Sequence, residues 1–230
     1  LSSSSAASDV YKRQSQMNPT LTHSTLNLTI LRKGVNIGQP FGLFCGEWEM
    51  PVKLGPAGVP LSCKGRTIVE GMDDIISLGL ETMEVQTVRM VAPQHFEQYW
   101  QAGVLAHKTG FEMNIHGPYY AELLGDRLQR NRSLAKVEAA LQAAKTINAR
   151  HVTLHTGHYG ELGRGQAANE QVASVFKGIV KRIHEIWQDD DDEYPVFPWL
   201  KDGSPAKIGV ENSGRQELWG SLEEILEVVN

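Results

Sequence analysis

The sequence predicts an α/β protein in which parallel strands alternate with helices, and three observations support this. Strand-like and helix-like patterns alternate five times between Met50 and the end of the 230-residue chain. The strand patterns place apolar residues on one face and polar residues on the other. No Gly-x-Gly-x-x-Gly follows the first strand pattern, as the dinucleotide-binding open sheet would require. Together these features favour a TIM (β/α)8 barrel, of which about five βα units are visible.

The composition sets the broad class. The chain has 41% hydrophobic residues and a formal net charge of −5, which indicates a globular protein and argues against binding nucleic acid by bulk charge alone. No apolar run approaches the length of a membrane span, so no membrane partner is expected. Two cysteines and no export signal favour a reducing, cytoplasmic location.

The beginning of the chain differs from the rest. Residues 1–14 are of low complexity and resemble a translated sequencing adapter, so we exclude them from fold reasoning. Residues 15–49 show no period or motif and are interpreted as a non-native or disordered leader, although a genuine N-terminal extension remains the alternative. We therefore expect the partial barrel to occupy residues 50–230.

The strands and helices follow in order along residues 50–230. Strands are predicted by alternating apolar residues at about 52–57, 82–87, 111–116, 151–155 and 207–211. Helices are predicted by apolar residues at helical spacing at about 66–79, from near Pro93 to 108, 127–148, 167–188 and from about 221 onward. The last helix begins with a capping box formed by Ser221 and Glu224.

Three polar residues stand at corresponding positions of three strands. His116, His155 and Glu211 each end a strand, on its polar face. Active sites of barrels gather at the carboxyl ends of the strands, and imidazole with carboxylate is a typical donor set for zinc or manganese. Each residue alone could be a polar side chain with a local hydrogen bond. Their shared phase and position predict a catalytic metal site.

Other side chains near these strand ends are weaker candidates. Glu84 and Gln86 also face the barrel interior and could support the metal ligands, or could simply satisfy each other there. His158 follows the strand-end His155 by three residues and could line the site. Arg89 lies just past a strand and could contact a phosphate. Tyr119 could stack on a base or sugar, or pack within its own loop.

These motifs resemble the endonuclease IV family, the family 2 apurinic/apyrimidinic endonucleases within the xylose-isomerase-like TIM barrel superfamily. The resemblance rests on His116-Gly117-Pro118-Tyr119, on His155-Thr156-Gly157, and on Gly209-Val210-Glu211-Asn212-Ser213-Gly214, in order and spacing. The segments Gly55–Pro60 and Met83–Arg89 are also similar to the first strands of one branch of the family. Departures from the family pattern are Thr156 in place of proline, Ala121-Glu122 where Asn-Leu is usual, and Ser213-Gly214-Arg215 in place of Thr-Ala-Gly.

The resemblance implies a zinc-dependent hydrolase of DNA repair that cuts the phosphodiester 5′ to an abasic site. It implies that His116 and His155 bind zinc, with manganese as the alternative, and that Glu211 bridges two metal ions. It also implies that Tyr119 and Arg89 contact DNA containing the abasic site. A bound metal would activate a water and stabilise charge on the attacking and leaving oxygens.

Two other interpretations stay open. The first is a xylose-isomerase-like sugar isomerase or epimerase; such enzymes share the barrel and also place metal-binding carboxylates and histidines at strand ends. The second is a non-catalytic fragment, because the family's remaining ligands come from strands six to eight, which are not in this sequence. We expect this chain alone to cleave abasic-site DNA little or not at all.

Overall fold

The computed structural model describes residues 52–65, 67–88, 91, 95–189 and 204–229. They form a parallel sheet in the order β1-β2-β3-β4, with strands at Thr82–Gln86 (β1), Glu112–His116 (β2), His151–Leu154 (β3) and Lys207–Val210 (β4). Five α-helices accompany the strands, at Ile68–Ser77 (α1), Phe96–Thr109 (α2), Arg127–Ile147 (α3), Gln166–Gln188 (α4) and Leu222–Val229 (α5). The predicted alternation of strands and helices is confirmed. The predictions for residues 1–49 lie outside the described residues.

The strand predicted at about 52–57 is wrong as a regular strand. The segment runs beside β1 and bonds to it through the backbone, with Glu81 N donating to Leu54 O at 3.0 Å and Glu84 N to Pro56 O at 3.1 Å. It reaches only an isolated parallel bridge between Ala57 and Glu84. Pro56 has no N–H to donate, which interrupts the ladder of hydrogen bonds.

The predicted facing of the strands is confirmed for β1, β2 and β3. Their apolar positions are buried in one core with the helices: Met83, Val85, Met113, Ile115, Val152 and Leu154. The alternate positions of β2 are only partly buried. One side of the sheet is thus a packed core, and the other side carries the polar residues that the strand ends present.

The helices begin and end close to the predicted limits, except at the beginning of α2. The stripe that predicted α4 is buried along its length: Val172, Val175, Phe176, Ile179, Ile183 and Ile186. Helix α2 begins at Phe96 rather than near Pro93, and Pro93 lies outside the described residues. None of the helices in the described ranges has the length and apolar character needed to span a lipid bilayer.

The capping box of α5 is present and is tied to the rest of the fold. The carboxylate of Glu224 is buried and accepts hydrogen bonds from Ser221 N at 2.9 Å and Gly220 N at 3.2 Å. Its other oxygen accepts from the Tyr159 hydroxyl at 2.7 Å. Burial raises the pKa of Glu224, but the hydrogen bonds from Tyr159, Ser221 and Gly220 outweigh it and leave this pKa below its ordinary value. Burial and the Glu224 carboxylate raise the pKa of Tyr159 to about 12.

This network predicts an acid-dependent contribution to stability. A carboxyl group whose pKa is depressed by folding stabilises the native state above its unfolded pKa of about 4.3. That contribution is lost as the pH falls through the lower, folded-state pKa. We expect Glu224→Gln to be less stable than wild type near neutral pH, and the difference to narrow in acid. Urea unfolding at several pH values measures it, and a difference that stays constant down to about pH 3 would contradict the assignment.

Candidate metal centre

The register of the sheet brings three polar strand ends together. His116 is paired with Thr153 of β3, and Thr153 in turn with Gly209 of β4. His155 and Glu211 each lie two residues further on, one residue past the ends of β3 and β4, in the same phase of alternation as those partners. Neighbouring strands are about 4.8 Å apart, so the three side chains project into one small volume.

The donor atoms of His116, His155 and Glu211 form a compact triangle. His116 Nε2 lies 2.9 Å from His155 Nε2 and 3.0 Å from Glu211 Oε2. His155 Nε2 lies 3.2 Å from Glu211 Oε2. All three residues are partly buried, and within the described ranges they are the group whose geometry could hold a metal ion. The structure therefore brings together the three residues that the sequence singled out.

Glu84 orients the first of these imidazoles. Its Oε1 lies 2.9 Å from His116 Nδ1 and also accepts a hydrogen bond from Gln86 Nε2 at 2.8 Å. With a proton on Nδ1 directed at the carboxylate, the neutral ring keeps its Nε2 lone pair for the triangle. Glu84 thus contacts a predicted ligand, while Gln86 contacts Glu84, so the two residues satisfy each other as well as reaching His116. The hydrogen bond to Glu84 also raises the pKa of His116, against the opposing effect of burial.

The second imidazole has the opposite electrostatic bias. Burial lowers the pKa of His155, and the neighbouring His116 lowers it further, while Glu211 partly opposes both. A neutral imidazole has one N–H donor and one nitrogen lone pair, so one of its two ring nitrogens is able to bind a metal. The ring centroid of His155 lies 5.0 Å from that of His116, and the lowered pKa of His155 favours the neutral form in which imidazole binds a metal.

The residues present fit a divalent metal ion. Glu211 Oε2 is buried and has no hydrogen-bond partner among the described residues, although two imidazole nitrogens lie beside it. An anionic oxygen in this position is costly unless a cation meets it. Zinc holds ligands at about 2.0–2.1 Å in a tetrahedron, which separates the ligand atoms by about 3.3 Å. The triangle of 2.9–3.2 Å is close to this spacing.

Tyr119 borders the triangle. Its ring lies edge-on to His155, with centroids 4.9 Å apart, and Tyr120 packs edge-on against it at 5.1 Å. Its backbone N–H donates to Val88 O at 3.2 Å, which fixes the loop after β2. Tyr119 remains 43% exposed, so its ring is available to a ligand. Arg89, the other predicted DNA contact, lies outside the described residues.

Glu122 is a residue that the sequence did not suggest for the site. Its two oxygens accept from the backbone N–H of His158 at 3.0 Å and face His158 Nδ1 at 2.8 Å. The pair lines the same cleft as His155 and Glu211. The one indication of Glu122 in the sequence was that this position departs from the family pattern.

The loop after β4 forms the other wall of the cleft and is anchored by Trp219. This side chain is fully buried and donates from Nε1 to Asn169 Oδ1 at 2.7 Å. The Trp219 carbonyl accepts from Thr156 Oγ1 at 2.9 Å, and its N–H donates to Gly157 O at 3.1 Å. The loops that follow β3 and β4 are therefore bonded to each other beside the metal centre.

Gly157 allows this close approach. Its φ of 93° lies in the left-handed region, and a Cβ there would meet the carbonyl of Ala121 and the side chain of Glu122. Glycine is the residue that adopts this conformation without steric cost. The backbone conformation at the third position of the His155-Thr156-Gly157 motif thus requires glycine.

Removal of the Glu84 carboxylate should weaken metal binding without unfolding the protein. Carboxylates that hold a ligating histidine typically contribute about 10- to 100-fold to metal affinity. We expect Glu84→Gln to lower zinc affinity by this factor in a competition titration with a chromophoric chelator. Glu81→Gln, at the opposite end of β1, is the matched control and should bind zinc as wild type does. Equal affinities for all three proteins would show that Glu84 does not act on the site.

The fold and the site together define an α/β barrel domain with an imidazole–carboxylate cluster at the carboxyl ends of its strands. The chain belongs to the xylose isomerase-like TIM barrel family, whose model matches residues 72–230. This match covers more than half of the chain and confirms the predicted barrel class. The narrower resemblance to endonuclease IV is not decided by it.

Solved structures that are similar to this chain include two epimerase-related proteins and an endonuclease. A D-tagatose 3-epimerase-like protein has 17% identity and a TM-score of 0.52, covering 78% of this chain and 60% of its own. The 3-keto-D-glucoside 4-epimerase of E. coli has 11% identity and a TM-score of 0.51, covering 75% and 64%. Endonuclease IV from Thermus thermophilus has 20% identity and a TM-score of 0.49, covering 75% and 58%.

These likenesses concern the fold. The chain spans about 60% of the length of the first of these structures. Comparison with curated proteins gives no significant match.

Proposed function

We propose that this chain is part of a metal-dependent, endonuclease IV-like DNA repair enzyme that hydrolyses the phosphodiester 5′ to abasic sites. The observation that carries the proposal is the donor set. Two imidazoles and one carboxylate converge within 2.9–3.2 Å beside an exposed tyrosine. A sugar isomerase would instead be expected to use a carboxylate-rich set with a single histidine. The motifs around His116, His155 and Glu211 support the same choice.

The residues of the chain have distinct parts in this proposal. His116, His155 and Glu211 would hold zinc, or manganese, and Glu84 would keep His116 in the tautomer that binds it. When bound, the metal would supply a Lewis acid and lower the pKa of a water toward about 7. Tyr119 would pack against the abasic nucleotide, where a base is missing from the stack.

Preferential binding of damaged DNA tests this function. Zinc-loaded protein would be titrated with a fluorescent duplex containing one tetrahydrofuran abasic-site analogue, and with the same duplex undamaged. We expect tighter binding of the damaged duplex, which a chelator or His155→Ala removes and His184→Ala, on α4, preserves. The same samples run on a gel would detect any incision 5′ to the analogue. Equal binding of the two duplexes by zinc-loaded protein would contradict the proposal.

A sugar isomerase or epimerase is the second candidate, and the Glu122–His158 pair favours it. A carboxylate and an imidazole 2.8 Å apart in the cleft could move a proton at a sugar carbon, as such enzymes do. Incubation of metal-loaded protein with D-xylose and a ketohexose in D₂O, followed by NMR, tests this. Deuterium incorporation into the sugar, together with equal binding of the two duplexes, would replace the nuclease by this candidate.

A further inference from the structure

Arg215 lies in the cleft that contains the metal centre. It stands in the loop after β4 and lines the same cleft as His155, Glu211, Tyr119 and His158. The resemblance to known nucleases gives this position no role, because the motif Asn212-Ser213-Gly214-Arg215 departs from the family pattern here. Its function must therefore come from its own surroundings.

The charges of the cleft leave Arg215 available to an anion. The Glu122 carboxylate is engaged by His158, and the Glu211 carboxylate faces the two imidazoles of the metal centre. Within the described ranges, no carboxylate lies at ion-pair distance from Arg215. A guanidinium without an internal partner, next to a metal centre, makes this side of the cleft attractive to negative charge.

The backbone that carries Arg215 is held in place on both sides. The Arg215 N–H donates to Ser213 Oγ at 3.3 Å, and its carbonyl accepts from Leu218 N at 3.2 Å. Trp219, the residue after Leu218, is fully buried and bonded to the loop after β3. Because the backbone of the loop is already held, binding a ligand at the exposed Arg215 side chain does not require the loop to be ordered.

We propose that Arg215 is a phosphate-binding residue, and that the substrate of this cleft is a phosphate ester. The guanidinium would donate two N–H groups to phosphate oxygens. The adjacent part of the substrate would lie against the metal centre formed by His116, His155 and Glu211. This deepens the proposed nuclease function, on which it rests, by naming the part of the substrate that Arg215 recognises. No covalent step is assigned to Arg215.

Calorimetry with small probes tests the proposal apart from DNA. Zinc-loaded protein would be titrated with 2-deoxyribose 5-phosphate and with 2-deoxyribose, which lacks the phosphate. We expect wild type to prefer the phosphorylated sugar, and Arg215→Gln to bind it about 10- to 100-fold more weakly, the usual effect of losing a charged hydrogen bond. Affinity for unphosphorylated deoxyribose should not change.

A matched control removes one positive charge elsewhere. Lys181 is 80% exposed near the carboxyl end of α4, at the opposite end of the βα unit from the cleft, so Lys181→Gln should bind both probes as wild type does. Circular dichroism and thermal melting would show that all variants are folded. Unchanged phosphate binding by Arg215→Gln, or no phosphate preference in wild type, would overturn the proposal.

The same variants separate this inference from the nuclease. Suppose that Arg215→Gln loses phosphate binding while wild type shows no preference for damaged DNA. That result would support the phosphate-binding role of Arg215 and contradict the nuclease function. An affinity for damaged DNA that persists unchanged in Arg215→Gln would support the nuclease function and contradict the role of Arg215.

Discussion

Glu211→Gln is expected to lower zinc affinity by about a hundred-fold or more. The carboxylate oxygen Oε2 lies 3.0 Å and 3.2 Å from the two imidazole nitrogens and has no hydrogen-bond donor of its own among the described residues. Zinc sites with four protein ligands bind with about 10–16 kcal/mol, so one ligand accounts for about 3 kcal/mol. That is about a hundred-fold in affinity.

Competition with a chromophoric chelator measures this change. Glu217→Gln, an exposed carboxylate on the loop after β4, is the control and should leave zinc affinity unchanged. His155→Ala should weaken binding at least as much as Glu211→Gln. An affinity for zinc that survives Glu211→Gln would show that the triangle is not a metal site.

The metal-free protein should respond to Glu211→Gln in the opposite sense. Without a cation, the buried anionic oxygen is unfavourable, and a neutral amide removes that charge. We therefore expect the metal-free variant to be at least as stable as wild type in urea unfolding. Only the stabilisation that added zinc confers on wild type should be lost.

Trp219→Ala is expected to reduce stability by about 3–5 kcal/mol, the usual cost of removing a large aromatic side chain from a core. Trp219 is one of the largest fully buried side chains in the described residues. Its loss would also leave Asn169 Oδ1 without the donor that it now has at 2.7 Å. Urea unfolding gives the free energy, and a loss below about 1 kcal/mol would contradict the role assigned to Trp219.

Two further variants help to interpret the loss of stability expected for Trp219→Ala. Trp219→Phe keeps an aromatic ring but removes the N–H, and should cost less than Trp219→Ala, with about 1–3 kcal/mol from the unsatisfied Asn169 oxygen. Leu222→Ala removes an apolar side chain that is 62% exposed and should change stability by less than about 0.5 kcal/mol.

Helices and strand facing were predictable because they depend on local periodicity. The 3.6-residue stripe of α4 and the two-residue alternation of β2 are properties of neighbouring residues, and both are present in the structure. The capping box of Ser221 and Glu224 is equally local, because its two members are three positions apart. Local patterns failed at residues 52–57, where Pro56 interrupts a segment whose hydrogen bonds depend on β1.

The partners of the site were less predictable because they are distant in sequence. Glu84 and His116 are 32 residues apart, and Glu122 and His158 are 36 apart. The sequence placed Glu84 near the site only because its side chain was expected to face the barrel interior on the strand next to that of His116. Glu122 and Arg215 stand in loops, where no period indicates which way a side chain points.

The sequence by itself determined the class of fold and the three strand-end donors. His116, His155 and Glu211 share one phase of alternation and one end of their strands, and both properties follow from local pattern. The tertiary structure decided how close they come, because strand register is set by pairing between segments rather than within them. It also decided that Trp219 bonds the two loops together beside the cleft that Arg215 lines. These contacts join residues up to 63 positions apart, so they exist only once the chain has packed.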